Sequence, residues 1–102
     1  MNNELGNSRG IVIAAQVLFY FGLGGYPAGG FFDLIYQAIQ KADSGNMTIL
    51  MKAYPEETAA MHLVMYGGQR GIDKLKDVAQ GRSRLIPERR DVGAQQPTEQ
   101  SG

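Results

Sequence analysis

The chain has 102 residues, ten basic against ten acidic side chains and no cysteine. Zero net charge excludes a whole-chain electrostatic attraction to nucleic acid or acidic membranes. The lack of cysteine excludes a disulfide framework, a thiolate metal site and a cysteine nucleophile, and suits a reducing cytoplasm.

Residues 1–10 are polar and contain glycine, and they predict a flexible start in which Asn7 or Ser8 could cap a following helix. Residues 11–21 are apolar nearly all round. Ile11, Val12 and Ile13 favour a strand, while Ala14, Ala15, Gln16 and Leu18 favour a helix; no second strand is evident to pair with this run, so it is assigned to a helix. It has eleven residues against the roughly 20 that a bilayer span needs. Glu4 and the lack of a basic cluster at the start speak against a signal peptide, so neither a leader nor a membrane helix is expected. Gly22, Gly24 and Gly25 end the helix in a glycine corner.

The second helix is expected over residues 28–42, opened by Pro27, Gly29 and Gly30. Phe31, Leu34, Ile35, Ala38, Ile39 and Ala42 fall on one face, and Asp33, Gln37, Gln40, Lys41 and Asp43 on the other. Asp43 caps a third helix over residues 47–54, with Ile49, Leu50 and Ala53 inward. Pro55, Glu56 and Glu57 open a fourth, the two carboxylates serving the helix dipole from different faces; it carries Ala59, Ala60, Leu63 and Val64 with Met61 and Met65 beside them, and stops at Gly67 and Gly68. A weaker helical stretch follows over residues 72–79. From Gln80 the apolar supply falls away and a disordered basic and polar tail is expected to residue 102. The reading is all-α: a helical domain over residues 11–79, a bundle of about four short helices. If only about 70 residues fold, a monomer core is marginal and self-association is expected.

The strongest candidate for chemistry is the start of the second helix. Bare N–H groups at Gly29 and Gly30, together with the helix dipole, suit an anion or phosphate. Tyr20, Tyr26 or Phe31 would stack on a base, and Arg70 or Lys74 would add charge. The competing structural reading is that these glycines let the corner pack closely on the first helix. The early aromatics Phe19, Tyr20, Phe21, Tyr26, Phe31, Phe32 and Tyr36 suit a core or subunit interface as well as a stacking platform. His62 stands alone and is not expected to bind metal; no cofactor motif or nucleophile elbow is present, and the chain is not expected to be an enzyme. Arg82, Arg84, Arg89 and Arg90 concentrate the basic charge in the tail, the one segment where nucleic acid could be contacted.

The succession Tyr26-Pro27-x-Gly29-Gly30-Phe31, Ala42-Asp43, Asn46, Leu50 and Tyr54-Pro55 resembles a group of small helical proteins encoded by bacteriophages and prophages. The resemblance spans residues 26–66. It implies a phage accessory product in the cytoplasm of a bacterial host, acting by binding rather than catalysis. Host-defence antagonism is the working expectation, either by an oligomer that sequesters a nucleotide signalling molecule or by direct inhibition of a host protein through the aromatics and the edge made by Met61 and Met65. A virion assembly role is the further alternative.

Overall fold

The computed structural model describes residues 2–86, and side chains from Ser8 onward. It is all-α, as expected, with four helices: α1 (Asn2–Tyr20), α2 (Gly30–Lys41), α3 (Ser44–Ala53) and α4 (Pro55–Ala79). The ambiguous apolar run is helical. Its helix starts at Asn2 rather than Ile11, so residues 2–10, expected to form a loose start, make the first half of α1.

Both ends of the α1–α4 framework close through the same backbone device. After α1, Gly22 adopts φ 74°, Leu23 N–H donates to Leu18 O at 2.8 Å and Gly22 N–H to Phe19 O at 2.9 Å. After α4, Gly81 adopts φ 79°, with Arg82 N–H donating to Asp77 O at 2.8 Å and Gly81 N–H to Val78 O at 3.0 Å. These paired bonds satisfy carbonyls left over at a helix end, and they need a left-handed residue that glycine supplies without strain. The corner then folds back on α1: a Cβ on Gly25 would lie 1.9 Å from the Ala15 carbonyl oxygen, and Tyr26 N–H donates to that oxygen at 3.3 Å.

The two borders of α3 follow their sequence signals. Asp43 accepts from Asn46 N–H at 2.8 Å, which caps α3, and Pro55 occupies the first turn of α4. Thr58 is buried and donates to Tyr54 O at 2.7 Å, tying the first turn of α4 to the residue that ends α3.

Two expectations about α4 change. Gly67 and Gly68 do not end the helix: α4 continues to Ala79 through a kink at Gly68, where φ is 61° and ψ −154°. Past the kink, a Cβ on Gly71 would come 1.9 Å from the Leu63 carbonyl oxygen, so the second limb is seated against the first through a residue that must lack a side chain. The stretch expected to stand alone over residues 72–79 is this second limb, and Leu75 and Val78 bring it fully into the core.

The core gathers Ile13, Ala14, Val17 and Leu18 of α1, Tyr36 and Ile39 of α2, Ala60, Met61, Leu75 and Val78 of α4, and Leu85. Leu85 corrects the expectation that the tail starts at Gln80. Residues 80–86 turn back on the bundle, Arg82 donates to Asp77 Oδ1 at 2.9 Å, and Leu85 is buried. Arg89 and Arg90 lie outside the described residues. Among the described residues no helix is long and apolar enough to cross a membrane.

Candidate functional site

The start of α2 gathers only part of the expected site residues. At the α2 start, Gly29 takes φ 91° as the N-cap residue and offers no side-chain cap, so the first N–H groups of the helix have no capping side chain. Gly29 and Gly30 are exposed, with open space where each Cβ would be. The close approach foreseen for these glycines is made instead by Gly25. Gly29 needs glycine for its positive φ, whereas neither φ nor space demands glycine at Gly30.

Tyr26 and Phe31 flank this start and are exposed, Phe31 at 61%. Phe31 packs edge-on against Phe32, the ring centroids 5.2 Å apart. Tyr20 is turned elsewhere: its hydroxyl donates to Gln40 Oε1 at 2.7 Å and its ring packs on Phe21 and Tyr36, so it serves the junction of α1 with the far half of α2. Arg70 and Lys74, on the second limb of α4, form no hydrogen bond or ion pair with any described residue, the glycine start included. The first turn of α2 already holds Asp33, which accepts from Gln37 Nε2 at 2.9 Å. Its charge satisfies part of the helix dipole that an anion would otherwise use.

The outer face of α2 and α3 was not singled out by the sequence. Phe31 and Leu34 of α2 are exposed, Leu34 at 62%. No residue of α3 is buried, and Ile49 is 63% exposed. The inward placement expected for Ile49 and Ala53 is therefore wrong: both face outward, and Met47 and Leu50 alone among the apolar residues of α3 rest half-buried against the core. Ala38, Ala42, Ile49 and Leu50 line a groove of about 360 Å³ between the two helices, edged by Lys41 and Asn46. The helical pattern of α2 did place apolar residues on one broad stripe, but a stripe wider than the core can cover is visible only once the neighbours are in place.

The methionine edge does not form. Met61 is fully enclosed in the core and Met65 is half-buried. His62 makes a 3.3 Å contact through Nε2 with Met47 Sδ and packs edge-on against the exposed Tyr66.

In the first turn of α4, Glu56 and Glu57 converge on one guanidinium instead of pointing apart. Arg9 of α1 donates through Nε to Glu56 Oε1 at 2.5 Å and through Nη2 to Glu57 Oε2 at 2.9 Å. The hydrogen bond to Glu56 chiefly raises the Arg9 pKa further. Tyr36, fully buried, donates its hydroxyl to Gln16 Oε1 at 2.8 Å; burial first, and then the charge of Glu57, push its pKa well above the usual tyrosine range. An adjacent pair of acidic residues at a helix start carries no sequence mark of such convergence, because the partner lies far away on α1. Comparison with protein families, with curated proteins and with solved structures finds no match to this chain.

Proposed function

We propose that this chain is a non-enzymatic phage accessory protein that self-associates through the outer face of α2 and α3 and acts by binding, antagonising a bacterial host defence. The observation that carries this reading is a helix, α3, that buries none of its residues within its own chain and continues the apolar stripe of Phe31 and Leu34. Burying such a face against a second copy removes apolar surface from water and supplies core that a chain of this size lacks. A two-fold arrangement would bring the face onto itself, since an isologous contact uses the same patch on both subunits.

Within that assembly the α2 start supports the sequestration of a nucleotide signalling molecule. Its uncapped N–H groups would meet a phosphate, and Tyr26 and Phe31, both exposed, would meet a base. Tyr20 contributes through packing, and Arg70 and Lys74 would have to reach the ligand from a second copy.

Native mass spectrometry of the protein recovered from phage-infected bacteria tests both parts. The wild-type chain should appear as an oligomer that releases a nucleotide on denaturation, and L34E with I49E should appear as a folded monomer. A wild-type monomer at micromolar concentration removes the self-association reading. An oligomer that releases no nucleotide, or one that carries a host protein, removes the sequestration reading.

A further inference from the structure

A cleft of about 260 Å³ opens where α1, α2 and α4 meet, walled by Val12, Ile13 and Phe32 and by the polar side chains of Arg9, Gln16 and Glu57. It shares no lining residue with the α2–α3 groove, and it does not depend on the function proposed above.

Glu57 is the group that needs an explanation. It is 1% exposed, yet among the described residues only Oε2 has a partner, the Arg9 guanidinium; Oε1 is buried and accepts no hydrogen bond from any of them. A carboxylate oxygen held away from water without a donor is costly. A helix-dipole role or an ion pair with Arg9 does not call for that oxygen to be enclosed. Glu56, its neighbour, satisfies both roles from a more exposed position.

The charge count sets the sign of what could bind. Among the described residues, Arg9 and Glu57 balance within the lining, and Glu56, paired with Arg9 outside it, leaves the three-residue group one negative charge in excess. The Tyr36 hydroxyl is already committed to Gln16 and brings no charge. A ligand must therefore offer N–H donors and positive charge at one end, and an apolar or aromatic body to lie along Val12, Ile13 and Phe32.

We propose that this cleft is a binding site for a small organic cation of the amidinium or arylalkylammonium class, which draws the enclosed Glu57 carboxylate round so that Oε1 accepts from its N–H group, with Phe32 against its apolar body. The volume limits the ligand to one ring or its equivalent, at the small end of ordinary ligand sites.

Benzamidine is the probe, titrated into the full chain by calorimetry and by amide NMR shifts, with benzoate as the charge-reversed control. Benzamidine should bind with millimolar or better affinity and shift the amides of Val12, Ile13 and Phe32, and benzoate should not. E57Q keeps the shape and removes the charge; it should weaken benzamidine about tenfold or more. V12W fills the cleft and leaves Arg9, Glu56 and Glu57 in place, and it should abolish binding whether or not E57Q folds. No benzamidine binding to the wild type, equal binding of benzoate, or undiminished binding to folded V12W or E57Q would each overturn the proposal.

Discussion

Leu75 of α4 and Ile49 of α3 are chemically close, yet Leu75 is fully enclosed with Ile13 and Val17 while Ile49 is left 63% exposed. The α1–α4 seam is where the chain invests its packing, and it also seats the ion pairs of Arg9 and the Tyr36–Gln16 bond beside that packing. The α2–α3 face is organised differently: α3 is fixed by local bonds at its ends, Asp43 to Asn46 N–H and Thr58 to Tyr54 O, and rests on the core through half-buried side chains. Apolar residues on the seam stabilise the fold, and those on the outer face remain available for another molecule. The same residue type does either job, according to whether the chain returns to cover it.

The largest effect should separate the two regions directly. L75A removes a fully enclosed side chain and should cost about 2–5 kcal/mol, whereas I49A should stay within about 0.5 kcal/mol for the monomer, read as urea midpoints. Equal losses would mean that the outer face is packed after all.

A somewhat smaller effect tests how the second limb of α4 reaches the seam. G71A would drive a methyl group into the Leu63 carbonyl oxygen and should cost about 1–3 kcal/mol or more. Gly67, four residues earlier, has open space and no positive φ, so G67A should be neutral or stabilising by about 0.4–1 kcal/mol. If G71A were harmless in thermal unfolding, the kink at Gly68 would not be holding the two limbs together.

The smallest effect concerns the Tyr36–Gln16 bond, which joins α2 to α1. Y36F loses the hydrogen bond to Gln16 and should cost about 1 kcal/mol at neutral pH. The folded-state pKa of Tyr36 is raised above its unfolded value, so the neutral hydroxyl contributes stability that is fully present below about pH 10 and is lost as the pH climbs toward the folded pKa. Denaturant midpoints measured from neutral to alkaline pH should therefore fall less steeply for Y36F than for the wild type. Parallel curves would mean that Tyr36 does not ionise on unfolding in this range.

Much of the element pattern was legible because it depends on neighbours in sequence. The spacing of Phe31, Leu34, Ile35 and Ile39 marked α2, Asp43 marked the α3 cap, Pro55 the start of α4, and Gly22 the end of α1. The extent of the elements was less legible. Nothing local in residues 2–10 marks them as helix, and Gly67 and Gly68 resemble a helix end until Gly71 is seen against Leu63. Leu85 carries no periodic neighbours that would announce it as a core residue, since its burial comes from a turn back onto the bundle.

The candidate sites divide in the same way. Gly29, Gly30, Tyr26 and Phe31 could be grouped from the sequence because they are consecutive or nearly so, and the helix start does hold them together. Tyr20, Arg70 and Lys74 are joined to that group only by a guess about folding, and the bundle gives Tyr20 to Gln40. Met61 was assigned to a surface that the core absorbs.

The sequence by itself determined the fold class, the helix borders that rest on capping residues, and the glycine-lined start of α2, because each is a matter of periodicity and backbone preference within a few residues. Only the tertiary structure decided which apolar residues are covered and which carboxylate loses its water. Glu56 and Glu57 are one peptide bond apart and alike in chemistry; Arg9, 48 residues from Glu57, and the walls of α1 and α2 leave one at the surface and enclose the other. Burial is a property of what the rest of the chain brings alongside.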